Sequence, residues 1–578
     1  MSYRILRGIV VAAMLLAVVP DSAKAQWQPD GVPVCAAASN QLTPVAVADG
    51  DDGAIVAWYD YRNGTADIYA QHVLATGAMD PGWPPGGRAL CIASGGQYSP
   101  VIVSDGAGGA IVVWYDDRGS NSDIYAQRIL ASGVVDPGWP ANGRALCTAS
   151  GDQIYPAIAS DGAGGAIVTW RDYRGGPDTD IYAQHVLASG VVDPAWPAGG
   201  TAVCTAAENQ SVPVIAPDGS GGALLSWSDL RNGTDSDIYA HHVLASGALD
   251  PAWPGDGLAL CATGWNQSGP TIVADGSGGG IVSWHDYRSG LDADIYAQHV
   301  LGPGVVDAVW PVNGRALCVA TGEQYSTMVV SDGAAGAIVA WYDYRTGEQA
   351  DIYAGRVLAT GVVDPAWPVD GRALCAAAGE QATPSMTAVG AGGAVVAWLD
   401  YRHGASSDIY AQHVLASGSL DPSWPTDGSA LCASTGEQYS PSLVADAGGG
   451  VIASWTDFRP GSFADIYAQW ADATDPVASV GAGPEPRFEI QPIRPHPARG
   501  EVTLRLELSA PAPVTVEVLD AAGRRVRTLA SGRELEAGVH PIHWDGRDEA
   551  GAPRPGGIYW VRARTPGGAL TRKLALLR

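Results

Sequence analysis

The sequence predicts an all-β chain: an eight-bladed β-propeller of four-stranded blades, followed by an immunoglobulin-like β-sandwich. Three observations carry this expectation. Tryptophan recurs at Trp58, Trp114, Trp170, Trp227, Trp284, Trp341, Trp398 and Trp455, at steps of 56 or 57 residues. Eight cysteines keep the same step: Cys35, Cys91, Cys147, Cys204, Cys261, Cys318, Cys375 and Cys432. Hydrophobic residues make up 46% and charged residues 16%, with 75 Gly and 40 Pro, a balance that suits short strands joined by tight turns.

The unit running from Trp139 to Ala195 shows the grammar. Two β-rich runs, Pro156 to Ser160 and Ala166 to Trp170, flank the Gly-rich turn Asp161 to Gly165 and read as a hairpin. Ile181 to Leu187 and Arg144 to Thr148 supply two more strands, and a fixed period above 40 residues without helical periodicity fits a propeller blade. The stretch Trp27 to Cys35 aligns with Trp367 to Cys375 and so reads as an outer strand without its blade. The last unit ends at Asp465 to Trp470 without an outer strand, so the first piece is expected to complete it and close a ring rather than a solenoid. Residues 26–471 are therefore assigned to the propeller, 472–486 to a Pro/Gly/Ala-rich linker and 487–578 to the sandwich.

Residues 1–25 read as a secretory signal peptide, with Arg4 and Arg7 before an apolar run from Ile9 to Val19 and small residues at Ala23 and Ala25. A secreted or outer-surface location follows, and no later segment reads as transmembrane. Net charge is −27, concentrated in residues 26–483, which hold 15 basic and 48 acidic side chains. Such a field repels phosphate backbones and anionic headgroups, which argues against nucleic acid as a partner.

Each unit carries Trp-x-Asp-x-Arg, and a second Asp before Ile-Tyr. Arginine's planar fork suits two carboxylates, so an Asp-Arg-Asp clamp is expected at Asp60/Arg62/Asp67, Asp116/Arg118/Asp123, Asp172/Arg174/Asp180, Asp229/Arg231/Asp237, Asp286/Arg288/Asp294, Asp343/Arg345/Asp351, Asp400/Arg402/Asp408 and Asp457/Arg459/Asp465. A glutamine opens each first strand, from Gln41 to Gln438, and is expected to bind loop backbone. Beside these glutamines the units differ, which makes Tyr98, Trp265, Tyr325, Tyr439, Glu323, Glu380 and Glu437 the candidate ligand-binding residues. No catalytic constellation, metal site or cofactor site is expected: one Asp per Gly-rich turn falls short of a calcium shell, and the histidines are spread one per unit. One cysteine per unit at equivalent outer-strand positions places neighbours beyond disulfide reach, so buried free thiols are expected.

At Pro156 to Asp161, Ala166 to Trp170 and Asp180-Ile-Tyr the unit resembles the blades of sialidase-type propellers, which implies architecture; the Asp-box turn of that family is replaced by Ala-Ser-Gly-Val-Val-Asp-Pro. The tail alternates in Val502 to Leu508, Val514 to Leu519 and Val539 to Trp544, which predicts the sandwich. Its Asp520 to Arg524 turn, Trp544-Asp-Gly and Gly557-Ile-Tyr resemble the immunoglobulin-like domain of flagellar hook-capping proteins and are similar to the sorting domain of type IX secretion cargo. That resemblance implies a targeting or docking module, with secretion or cell-surface machinery as its partner. The expected function is a non-enzymatic, monomeric binding scaffold for an extracellular polymer or protein; the rival is a secreted glycan-active hydrolase.

Overall fold

The computed structural model describes residues 27–473, apart from 391, 405, 460 and 462, and residues 488–577 with gaps at 491–497, 500–501, 509–511, 521–523, 536–537 and 566–567. The expected signal peptide and nearly all of the expected linker lie outside the described residues. The chain divides into two units, Met1–Gly481 and Ala482–Arg578.

Eight antiparallel sheets make up the first unit, and its described residues contain no helix. The third blade is typical: Gln153–Ser160, Ala166–Asp172, Asp180–Val186 and Thr201–Cys204 pair in that order. In the second strand of each blade nearly every residue is buried, as expected of a strand covered on both faces. Its apolar side chains pack against the adjacent blade; one core cluster joins Ile281, Ile295 and Trp310 of the fifth blade to Val339, Trp341 and Val357 of the sixth. First strands neighbour one another in a cycle that returns from Gln438–Ala445 to Gln41–Ala48.

The ring is sealed by its earliest residues. Val32–Cys35 pairs antiparallel with Asp465–Asp472 as the outer strand of the eighth blade. Gly31, at φ 85°, lies against the indole of Trp455, where an added Cβ would sit 2.5 Å from the ring. Asp30 accepts from the amide of Ala433 at 2.7 Å, and its carbonyl accepts from Arg459 at 2.6 Å.

Each blade is tied to its predecessor by one polar staple. The fully buried Trp donates its indole N–H to the Asp two residues on, at 2.7–2.9 Å. That Asp accepts from the Arg guanidinium at 2.5–2.6 Å. The Arg also reaches the outer-strand Cys Sγ of the preceding blade at 3.0–3.2 Å and stacks 3.7–4.0 Å over a third-strand Tyr.

Two sequence expectations need correction here. The second Asp of the expected clamp, Asp67 and its equivalents Asp123, Asp180, Asp237, Asp294, Asp351, Asp408 and Asp465, makes no ion pair with the Arg among the described residues. The fork is already filled by the first Asp, the thiol and a backbone carbonyl such as Gly86 O at 2.8 Å. Hairpin register instead sets the two Asp residues opposite each other, as in Asp60↔Asp67, and the second turns to local donors such as Asn63 or Thr346. The eight cysteines are buried and free, but they are more than small apolar filler. Each accepts from an Arg, and burial pushes Cys91, Cys204 and Cys318 up to about 12.

A second staple lies at the other end of the blades. His72 bridges Asp49 and Asp80 at 2.8 and 2.9 Å. Arg128 does the same with Asp105 and Asp136, and in the eighth blade Trp470 donates to Asp446 at 2.6 Å. The Asp-Gly turn carboxylates are thus engaged by side chains and by turn amides, as Asp161 is by Ala163 and Gly165.

Hairpin register gives the ring an acid-side stability optimum. Asp123, Asp180, Asp237, Asp294 and Asp465 are pushed up to about 6, first by burial and then by neighbouring carboxylates. Between 3.8 and about 6 the folded ring binds more protons at these sites than the unfolded chain, so stability rises as pH falls through that window. His72, raised against its burial by Asp49 and Asp80, acts in the same direction: its stabilisation is full below 6.5 and is lost as pH rises through its folded value. His241 and His285, held down by burial, oppose it. Losses on the acid side begin lower, where Asp49, Asp218, Asp229 and Asp275 are held below 3.8. The thermal midpoint is expected to be higher at pH 5 than at pH 7; a flat or inverted profile from scanning calorimetry contradicts this balance.

In the second unit, one sheet orders Phe488–Ile490, Val502–Leu508 and Gly538–Trp544. The other orders Ala498–Arg499, Gly568–Leu577, Gly557–Thr565, Ala512–Leu519 and Arg525–Leu535. Alternating side chains meet in one core that includes Val502, Leu504, Leu506, Val516, Val518 and Val561. Trp544 packs edge-on to Tyr559 at 5.2 Å and donates to the carbonyl of Arg547 at 2.8 Å.

Candidate functional site

One end of the ring gathers the starts of all eight first strands and the loops between second and third strands. The eight Gln side chains there are fully buried and donate to the loop just before them, as Gln153 Nε2 does to Gly151 O at 2.8 Å. Two residues after each Gln the backbone turns left-handed or nearly so, with φ from 49° to 62° at Thr43, Ser99, Tyr155, Val212, Gly269, Ser326, Thr383 and Ser440. The register shifts at this bulge in every blade, for example between Ile154 and Ala157. Bulges re-aim side chains, and here they turn the variable residues toward this Gln face.

The candidate residues fall into three groups. Tyr98 lies 5.9 Å from Tyr59 and 5.6 Å from Tyr115, and Tyr115 is 6.3 Å from the exposed Tyr155. Tyr325 is the hub of a second group, 5.6–6.4 Å from His285, Tyr287, Tyr342 and Tyr344. Its hydroxyl accepts from Tyr287 at 2.8 Å, and its pKa is driven far up by burial, then by Tyr287 and Glu323. Glu323 accepts from the amide of Ala293 at 2.8 Å, while Glu380 accepts from the Tyr344 hydroxyl at 3.3 Å, so both acids join this group. Tyr439 donates to Glu437 and packs on Phe458 at 5.9 Å, forming the third. Burial and then Glu437 push the Tyr439 phenol up to about 12. Trp265 stands alone on a loop, 61% exposed.

Sequence reasoning missed Tyr59, Tyr115, Tyr155, His285, Tyr287, Tyr342 and Tyr344. The signal was present in the variable positions of Trp-x-Asp-x-Arg, where the residue after Trp is Tyr59, Tyr115, Arg171, Ser228, His285, Tyr342, Leu399 or Thr456. In the hairpin each of these lies opposite the residue after Gln, as Tyr342 lies opposite Tyr325. Among the described residues no group of three or more His, Cys, Asp or Glu is placed to hold a metal ion.

Fold and face together define a propeller whose Trp-Asp-Arg-Cys staple is uniform in all eight blades and whose variable aromatic residues gather at the Gln face. The tail is the part with a family likeness: residues 494–568 match the FlgD Ig-like domain. In the basal-body rod modification protein FlgD of Salmonella typhimurium, 55 residues are 49% identical, covering 9% of this chain and 23% of that protein. The chain thus spans about a quarter of that relative's length. Among solved structures, a protein of unknown function from Dyadobacter fermentans aligns at 8% identity over 77% of this chain and 98% of its own, with a TM-score of 0.38. An endo-arabinase from Bacteroides thetaiotaomicron aligns at 12% identity over 52% and 88%, with a TM-score of 0.27. No described helix is long and apolar enough to cross a membrane.

Proposed function

We propose that the chain is a secreted or cell-surface binding scaffold without enzymatic activity. Its Gln face engages an extracellular polymer or protein, and its immunoglobulin-like tail serves export or attachment. One observation carries this reading: the residues that break the eightfold repeat at this face include aromatic side chains grouped around Tyr98, Tyr325 and Tyr439. Tyr and Trp give large contact area at low conformational cost, and they concentrate where proteins bind ligands. The Arg residues that a charged substrate would need are consumed by the staples.

The hydrolase alternative has one supporting feature, the Glu323 carboxylate coupled to Tyr325. Glycan and extracellular-protein arrays probed with the chain from residue 26 onward separate the two. Retained ligand with no new reducing ends after prolonged incubation is expected; accumulation of reducing ends, abolished by Glu323→Gln, overturns the scaffold reading.

A further inference from the structure

We propose that the junction of the fifth and sixth blades is the ligand site of this face and that it takes an uncharged sugar unit. This rests on the scaffold reading above. Four departures from the repeat lie on or just before the strands of these two blades.

Trp265 is the first. It sits two residues before Gln267, at φ 73°, where five other units have Gly95, Gly151, Gly322, Gly379 and Gly436. At those glycines an added Cβ would lie 2.4–2.8 Å from the backbone of the facing hairpin loop. A bulky residue with positive φ is strained, and this one is exposed rather than compensated by burial. Its indole lies over Gly290, where an added Cβ would be 3.4 Å from the ring. Ser39 and Glu208 share this position and its positive φ, but neither places an aromatic ring there.

Gly269 is the second. Every other unit has a side chain at this point of the bulge, and here a Cβ would sit 2.8 Å from His285 Cε1. The imidazole of His285 occupies the space that a side chain takes in the other units. His285 is the third: its Nδ1 is buried without a hydrogen-bond partner. An unpaired buried nitrogen of this kind is a cost that the fold carries at this junction. Fourth, Thr327 replaces the proline of all seven other first strands, and its hydroxyl lies 3.2 Å from Thr271, which is 2.8 Å from Ser283.

The chemistry narrows the ligand. Arg288, the cation of this loop, is spent on Asp286, Cys261 and the carbonyl of Asn313, so an anionic group finds no partner. The aromatic side chains around Tyr325 pack on that ring at 5.6–6.4 Å, so they fill the space between them rather than enclose an ammonium group. An exposed indole face offers a platform for the C–H face of a pyranose or furanose ring. The Glu323 carboxylate offers an acceptor for ring hydroxyls, and the half-buried His285 ring lies at the same junction.

The test uses the chain from residue 26 onward on an array of neutral, anionic and amino-sugar oligosaccharides, with titration calorimetry on the hits. Trp265→Gly is expected to weaken binding of a neutral oligosaccharide at least tenfold without lowering the thermal midpoint, since glycine is the residue five other blades use. His285→Tyr, which installs the residue of three other blades, is expected to weaken it as well, while Val312→Ser on the outer rim retains it. Binding kept by Trp265→Gly but lost by Tyr98→Ala overturns this site and leaves the scaffold reading standing. Hits confined to charged glycans or to proteins overturn the sugar class. Absence of any ligand for the unsubstituted chain, on this array and on the extracellular-protein array, overturns both.

Discussion

Asp343→Ala is expected to cost about 3–5 kcal/mol of folding free energy, among the largest losses from one substitution in this chain. The carboxylate is fully buried and accepts from the Trp341 indole at 2.9 Å, the Arg345 amide at 2.9 Å and the Arg345 guanidinium at 2.6 Å. Removing it leaves a half-enclosed guanidinium without its counter-charge and a buried indole N–H without an acceptor, two of the costliest defects in a protein interior. The indole N–H cannot turn to water, because Trp341 is fully buried between the fifth and sixth blades. Within the same series, Asp294→Asn is expected to be neutral or mildly stabilising at pH 7. That carboxyl is pushed up to about 6 by burial and then by Asp286, so its charge is carried at a cost. Urea denaturation of the two variants checks both halves, and equal destabilisation contradicts the one-sided staple.

Much of the architecture is readable in the sequence because the repeat is nearly exact. A Trp every 56 or 57 residues can stay buried in every copy only if the copies pack alike, and the alternation of β-rich runs with Gly turns fixes four strands per copy. Seeing that Trp27 to Cys35 is an orphan outer strand required only alignment with a later copy. The staple was half legible. Arg62 lies two residues from one Asp and five from the other, and spacing alone cannot say which carboxylate the fork meets. Register decides it, by setting Asp60 and Asp67 across from each other and turning the Arg toward Cys35 of the neighbouring blade. The role of the thiols was hidden for the same reason, since Cys35 and Arg62 are 27 residues apart and belong to different blades.

The candidate face was legible as a place, less so as a site. Trp265, Tyr325 and Glu323 stand out as departures from the repeat. His285 and Gly269 do not, because their significance lies in one nitrogen left unpaired and one Cβ left out. The strain at Trp265 is encoded in the glycines that occupy its position in five other units.

The central claim is that the nine residues from Trp27 to Cys35 hold the ring shut. Val32, Val34 and Cys35 are all buried, and at roughly 1.5–3 kcal/mol for each large apolar side chain their loss, with the Asp30 hydrogen bonds, is expected to cost about 5 kcal/mol. It also bares the edge of Asp465–Asp472, a template for pairing between chains. Urea denaturation of a chain beginning at Ala36, against one beginning at Gln26, is the most direct measurement. The ring account predicts a lower transition midpoint and self-association that grows with concentration. An unchanged midpoint and a monomeric truncated chain would contradict it.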